Sequence, residues 1–149
     1  MIHFYSADVP VALRQRNEHR AWLTAIAFER NHEIDSLAYI FCSDEYLLEM
    51  NKKFLDHDFY TDIITFPLEV NKNRVNAECY MSVDRIKDNA KLNVITFADE
   101  LRRVMVHGLL HLIGEDDKSA EAERLMREAE ETALKNWVFH VERGNQKAN

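Results

Sequence analysis

Two histidines and an aspartate within the stretch HGLLHLIGEDD, residues 107–117, have the types and the spacing to hold a metal ion. His107 and His111 are four residues apart, so on a helix both imidazoles project from one face, one turn apart. Gly114 follows where a glycine can take the left-handed conformation that ends a helix, and the chain can then bring Asp117 back toward the histidines. Two imidazoles and a carboxylate leave a fourth position for water, which is the ligand set of a catalytic zinc site.

Each part of this pattern has an ordinary explanation when it stands alone. Histidine pairs occur by chance on amphipathic helices, and acidic residues after a helix can be solvated or can cap the next helix. All parts fall in register within one short segment, and the combination favours a metal site. Zinc suits these nitrogen and oxygen ligands best, although nickel and iron are also compatible. The third ligand stays open among Glu115, Asp116 and Asp117; register with the long zinc signature of metallopeptidases favours Asp117.

Gly108 occupies the position at which H-E-x-x-H metallopeptidases carry the glutamate that acts as general base. Glycine has no side chain that moves a proton, so peptide hydrolysis by the usual route is disfavoured. Helix propensity does not explain the residue either, because glycine costs about 1 kcal/mol relative to alanine inside a helix. A close backbone approach, from a neighbouring sheet or from a bulky substrate, would explain it.

Hydrophobic periodicity predicts the elements that position these residues. The predicted strands are Ile2–Ser6, Ser36–Ser43, Thr61–Leu68, which should stop at Pro67, and Ala77–Val83, with a polar turn over 70–76. The predicted helices are Val11 to about Asn31, Ser43–Phe54 with Ser43 as N-cap, Asp84–Leu92, Phe97–Ile113 and Ala120–Phe139. A polar tail should begin at about residue 141. This order predicts one α+β domain over residues 1–149, a small sheet covered by helices.

Composition and charge narrow the possible functions. The chain has 149 residues, of which 46% are hydrophobic and 30% charged, as expected for one soluble globular domain. The net charge of −7 argues against nucleic-acid binding through a generally basic surface, although a local basic patch or a metal can supply positive charge. No membrane span and no export signal are evident, so a cytoplasmic location is expected. Cys42 and Cys79 lie in apolar segments and should be buried free thiols.

Three segments resemble the YbeY family of bacterial zinc-dependent endoribonucleases. The histidine segment resembles the family signature H-G-x-L-H-L-x-G-Y-D-H. NKKFLDHDFYTDIITFP resembles the family's asparagine, aromatic and T-D-V-L-S-F-P segment, and AECYMSVDRIKDNA resembles its G-D-I-x-I-S strand with the helix that follows. The matching residues are His107, Gly108, Leu110, His111, Leu112, Gly114 and Asp116 in the first segment, Asn51, Phe54, Thr61, Asp62, Phe66 and Pro67 in the second, and Ser82 in the third.

This resemblance implies a mixed four-stranded sheet beside helices, distantly like the zincins, with one zinc ion at the end of a cleft. It implies a single-strand-specific endoribonuclease that matures ribosomal RNA, including the 3′ end of 16S rRNA, and acts in ribosome quality control. The implied partners are ribosomal RNA and ribosomal subunit proteins. His107, His111 and Asp117 would hold the metal, and His111 and Asp116 would be catalytic. Glu115 or Asp116 could accept a proton, and Asp116 could equally orient a histidine. The candidate substrate contacts are Asp62 and Ser82, which are more often strand-end or capping residues, and Arg74 and Arg85, which are more often ordinary solvated charges.

The chain departs from the family pattern at three positions of the first two segments, and mildly in the third, where Ala77 and Glu78 replace glycine and aspartate. Asp117 stands where the family has its third histidine, and Glu115 stands where it has tyrosine. Leu55 stands where a basic residue is expected, and leucine cannot clamp a phosphate as arginine does. The missing arginine and the acidic surface keep a second hypothesis open, that of a ribosome-biogenesis binding protein whose zinc is structural and not catalytic.

Overall fold

Four strands and five helices form the chain in a computed structural model that describes residues 1–147, and their side chains except those of Val70 and residues 138–147. None of the described helices is long and apolar enough to cross a membrane. The elements in chain order are β1 (Ile2–Ser6), α1 (Arg16–Glu29), β2 (Glu33–Cys42), α2 (Asp44–Leu55), β3 (Ile63–Asn71), β4 (Arg74–Ser82), α3 (Val83–Asn93), α4 (Phe97–Ile113) and α5 (Ala120–Lys147).

The strands form one mixed sheet in the order β1-β2-β4-β3. β1 and β4 both pair with β2 in parallel, and β3 pairs with β4 in antiparallel orientation at the edge of the sheet. The predicted α+β class with a mixed four-stranded sheet is therefore confirmed. Apolar side chains of one sheet face form the main core with α1, α4 and α5, and α2 covers part of the other face through Leu47.

Buried aromatic side chains fix the helices on the main core. The Trp22 indole on α1 donates a hydrogen bond to the Ala133 carbonyl of α5 at 2.7 Å. The Tyr39 hydroxyl on β2 donates to the Met105 carbonyl of α4 at 2.9 Å. Both groups are buried, so each bond satisfies a donor that would otherwise be costly and ties one layer to the next.

Several predicted boundaries were wrong. The first helix begins at Arg16 and not near Val11, because Gln15 has a left-handed backbone with φ of 57° and the preceding segment packs on the core as a loop. β3 continues past Pro67, which an edge strand tolerates because only one side of the strand is paired, and the register shifts between Pro67 and Glu69. The predicted turn at 70–76 is confined to residues 72–73, and the predicted polar tail continues as helix to Lys147.

The two cysteines are buried and free, as predicted. Burial raises the pKa of the Cys42 thiol to about 12 and that of the Cys79 thiol further. Both thiols therefore stay protonated at neutral pH, which makes them poor nucleophiles and poor metal ligands.

Gly108 marks the place where α4 comes closest to the sheet. A methyl group on its Cα would lie 2.7 Å from Ile63 Cδ1, 3.4 Å from Thr65 Cγ2 and 3.6 Å from Cys79 Sγ. The close approach expected at this residue therefore comes from the sheet. The tightest of these contacts is to the far end of one isoleucine side chain.

We expect Gly108→Ala to leave the wild-type stability unchanged or lower it, because the contact with Ile63 offsets the gain in helix propensity of about 1 kcal/mol. In an Ile63→Val background, where Cδ1 is absent, the same change should stabilise the protein by about 1 kcal/mol. Urea unfolding of the four proteins of this cycle measures the difference. Equal effects of Gly108→Ala in both backgrounds would contradict the assigned contact.

His19 is a buried histidine in the main core that has no link to the histidine segment. Only 2% of its surface is exposed, its Nδ1–H donates to the Gln15 carbonyl at 2.8 Å, and its ring packs 4.3 Å from that of Trp137. Burial lowers the pKa of His19 below its usual value of 6.5, since a charged imidazole would lose its hydration there.

The free energy of unfolding should fall as the pH drops below about 6.5, since the unfolded chain then binds a proton at this histidine that the folded chain does not. The contribution of one such group is at most about 1.4 kcal/mol per pH unit. We expect His19→Phe to lose less stability than the wild type between pH 7 and 5, in urea unfolding at each pH. All other titrating groups are common to both proteins, so their effects cancel in the difference between the two free energies of unfolding. Parallel curves of stability against pH would show that His19 does not titrate in this way.

Candidate metal centre

The helix α4 carries both histidines, and its ends are those that the sequence predicted. It begins after Thr96, whose hydroxyl accepts the Asp99 N–H at 3.1 Å, and it ends at Gly114, with φ of 114°. The Glu115 N–H then bonds back to the Leu110 carbonyl at 3.0 Å, which reverses the chain directly after the helix. This reversal brings residues 115–117 back toward the histidine face.

His107, His111 and Asp117 present ligand atoms that converge on one point. Nε2 of His107 and Nε2 of His111 are 3.0 Å apart, and each lies 3.7 Å from Oδ2 of Asp117. A tetrahedral zinc ion with bonds of about 2.0–2.1 Å separates its ligand atoms by about 3.3 Å. The three side chains therefore already have nearly the spacing that such an ion requires.

The Nδ1 atoms of both imidazoles lie within hydrogen-bond distance of acceptor oxygens. Nδ1 of His107 lies 2.9 Å from Oε2 of Glu130, and Nδ1 of His111 lies 3.0 Å from the Glu115 carbonyl oxygen. Because neither a carboxylate nor a carbonyl can donate, each Nδ1 carries the proton and each neutral ring keeps a lone pair on Nε2. Two lone pairs 3.0 Å apart repel each other unless a cation or a proton lies between them. The residues therefore fit a metal ion.

Glu130 on α5 is the functional residue that the sequence analysis missed. It is buried, and its second oxygen lies 3.3 Å from Nη1 of Arg103, so the carboxylate is held between a guanidinium and His107. Its hydrogen bond raises the pKa of His107. Glu130 lies on the core-facing side of α5 with Met126, Ala133 and Trp137. A lone acid on an apolar helix face was the signal that could have revealed it.

Asp116 does not lie where the predicted histidine-orienting role would place it. Its carboxylate is exposed and accepts the Lys118 N–H at 3.1 Å, while the histidine Nδ1 atoms bind Glu130 and the Glu115 carbonyl. The Glu115 side chain points to α1, where it forms an ion pair with Arg30 at 2.8 Å. The role of Asp116 as a proton acceptor stays a prediction.

Asp62, directly before β3, is the candidate substrate contact that the fold brings to the metal centre. The next residue, Ile63, lies against Gly108, which follows His107. Burial raises the pKa of the Asp62 carboxyl, and the charge of His107 opposes that shift. The Asp62 carbonyl accepts the Ser82 N–H at 2.9 Å. Ser82 is fully buried: its hydroxyl accepts the Arg85 N–H at 3.1 Å as the N-cap of α3 and donates to Asp44 at 2.7 Å.

Arg74 and Arg85, the two candidate phosphate contacts, both form ion pairs with carboxylates in this structure. Arg85 binds Asp44 at 2.7 Å, and Arg74 forms a two-pronged contact with Asp35. Arg74 also lines a groove of about 190 Å³ that runs along β3 to His111, whereas Arg85 lies at the other end of β4. Contacts of either arginine with RNA stay predictions, and each would require exchange of an existing ion pair.

Comparisons with known proteins agree with this architecture. The family model described as Endoribonuclease YbeY matches residues 2–138. A Cytophaga hutchinsonii protein named Endoribonuclease YbeY is 50% identical over 133 residues, which cover 89% of this chain and 93% of that protein. A Porphyromonas gingivalis protein of the same name is 41% identical, with 89% and 87% covered. The solution structure of TM1509 from Thermotoga maritima matches with a TM-score of 0.64 and 26% identity, covering 100% of this chain and 96% of that one.

Metal content distinguishes the two adjacent aspartates. Protein purified without added chelator or metal should contain close to one zinc per chain, and Asp117→Ala should lose most of it because one of three ligands is removed. Asp116→Ala is the matched control and should keep its metal. Elemental analysis of the three proteins measures this. Loss of metal from Asp116→Ala, with retention in Asp117→Ala, would mean that the wrong aspartate has been assigned.

Proposed function

The chain belongs to the YbeY family, and we propose that it is a metal-dependent endoribonuclease that cleaves ribosomal RNA during its maturation. The observation that carries the proposal is the convergence of the two Nε2 atoms and the Asp117 carboxylate. Both Nδ1 atoms already have hydrogen-bond acceptors. Peptide hydrolysis lacks such support, because Gly108 stands in the position of a base and faces the sheet.

Zinc is the metal we propose, since two imidazoles and one carboxylate are its usual ligands in catalytic sites. When bound, zinc would supply a Lewis acid for a phosphoryl oxygen and a lowered pKa for an attacking water. Glu130 and the Glu115 carbonyl would hold the two imidazoles in the tautomer that presents Nε2. Their contacts exist in this structure already, so the site needs little rearrangement to bind its ion.

We propose that the Asp62 carboxylate accepts the proton of the attacking water. It lies near His107, and burial raises its pKa, which makes it a stronger base than an exposed aspartate. The acidic residues of the loop after α4 are otherwise occupied, Glu115 by Arg30 and Asp116 by the Lys118 N–H. Asp116 would serve only after a rearrangement of that loop.

The substrate we propose is a single-stranded segment of ribosomal RNA, such as the 3′ end of the 16S species, with a further role in ribosome quality control. A net charge of −7 gives the chain little general attraction for RNA, so ribosomal subunit proteins would help to recruit it. Ribosome maturation in bacteria takes place in the cytoplasm, and we propose that location for this protein.

Zinc-loaded wild-type protein should cleave a ribosomal RNA fragment with a single-stranded 3′ end, and His111→Ala should lower the cleavage rate by about 100-fold or more because it removes a metal ligand. His3→Ala, on the opposite edge strand β1, is the matched control and should keep full activity. Gel analysis of end-labelled RNA gives the rates.

Two outcomes would count against the proposal. Cleavage that persists unchanged in the His111→Ala preparation would come from a contaminating nuclease. Zinc-loaded wild-type protein that cleaves no RNA would favour a ribosome-biogenesis protein with structural zinc, the hypothesis that Leu55 in place of arginine keeps open.

A further inference from the structure

Three large aromatic side chains are exposed at the end of α2 and in the loop that leads to Asp62. Phe54 at the end of α2 is 57% exposed, and Phe59 and Tyr60 in the following loop are 55% and 50% exposed. Such side chains usually supply much of the burial in a core or an interface. We refer to Phe54, Phe59 and Tyr60 as the ring surface.

The loop that carries Phe59 and Tyr60 is held in place by hydrogen bonds to Asn51. Asn51 on α2 is 99% buried, with 1% exposed, and its side-chain amide donates to the Phe59 carbonyl at 2.8 Å. The Asn51 carbonyl accepts the His57 N–H at 3.1 Å. One buried residue therefore fixes the loop backbone through its side chain and its carbonyl, while the Phe59 and Tyr60 rings remain exposed.

Cationic and heteroaromatic groups lie beside each ring. Lys53 Nζ is 5.3 Å from the Phe54 ring centre, and the Arg85 guanidinium is 5.1 Å from that of Tyr60. The His57 ring stacks on Phe59 with their centres 5.0 Å apart. Aromatic faces interleaved with such groups are the arrangement that binds unpaired nucleotides, in which bases stack and phosphates lie near positive charge.

Tyr60 is the residue of the ring surface that lies nearest along the chain to the metal centre. Tyr60 precedes Asp62 by two residues and Ile63 by three, and Ile63 packs where α4 meets the sheet at Gly108, beside His107. At about 3.3 Å per residue, Tyr60 lies no more than about 10 Å along the chain from that contact. A strand bound at Tyr60 therefore needs to extend only a short distance to reach the histidines.

We propose that the ring surface binds unpaired bases of the RNA substrate by stacking and thereby selects single strands. This rests on the proposed function. The acidic neighbours Asp56 and Asp58 and the leucine at position 55 leave little net positive charge here to hold phosphate, so the ring faces must supply most of the affinity. Bases in a duplex already stack on each other and are unavailable to the rings, so duplex RNA binds weakly. The alternative is that the ring surface binds a protein. In that case the affinity for RNA should not depend on the rings.

The test is the equilibrium binding of a fluorescent, unstructured 2′-O-methyl RNA oligonucleotide to zinc-loaded protein, with the oligonucleotide checked for intact length. Phe59→Leu and Tyr60→Leu keep an apolar side chain but remove the aromatic face, and each should weaken binding by about 10-fold. Phe28→Leu is the matched control, since Phe28 is 76% exposed on α1 and outside the ring surface, and it should bind as the wild type does. Binding of the same oligonucleotide in a duplex should be weak in all four proteins.

Metal content and thermal unfolding of the variants should match the wild type, which separates lost stacking from lost structure. Unchanged affinity in both ring variants, or an equal loss in Phe28→Leu, would overturn the proposal. If the wild type cleaves RNA while the ring variants keep its affinity and KM, the stacking proposal fails and the endoribonuclease proposal stands. If the ring variants lose affinity but the zinc-loaded wild type never cleaves RNA, the stacking proposal stands and the endoribonuclease proposal fails.

Discussion

The contact between α4 and the sheet at Gly108 is the constraint on which the rest of the site depends. A residue without a side chain lets the helix axis come so close to the sheet that a Cβ at this position would meet Ile63, Thr65 and Cys79. His107 precedes this contact and His111 follows it by one turn, so the distance between helix and sheet sets where both imidazoles stand. Asp62, directly before β3, is held on the side of His107 because the next residue, Ile63, lies against Gly108.

The metal centre takes its parts from several elements, and each part is stabilised by a partner from another. α4 supplies the imidazoles, the loop after it supplies Asp117, and α5 supplies Glu130. A buried carboxylate would be strongly destabilising alone, but Glu130 contacts both Arg103 and His107. The site is therefore complete only when α4, α5 and the sheet have packed together, and its formation is coupled to folding of the whole domain.

Local signals predicted the parts of the structure that local interactions determine. Both ends of α4 were predictable because Thr96 and Gly114 cap it within its own segment, and the histidine spacing followed from the helix itself. Glu130 was not predictable in this way, since its partner lies 23 residues away on another helix. β3 can continue through Pro67 because the strand lies at the edge of the sheet. That position follows from the pairing order of the four strands and not from the residues of β3.

The edge position of β3 also bears on self-association. An exposed edge strand is a template onto which a second copy of a chain can add its own strand, and this is a common route to aggregation. In β3 the missing N–H of Pro67 and the register shift before Glu69 interrupt the regular ladder that such an addition requires. The same irregularity that made the strand hard to delimit thus protects the groove beside His111 from being closed by another molecule of the protein.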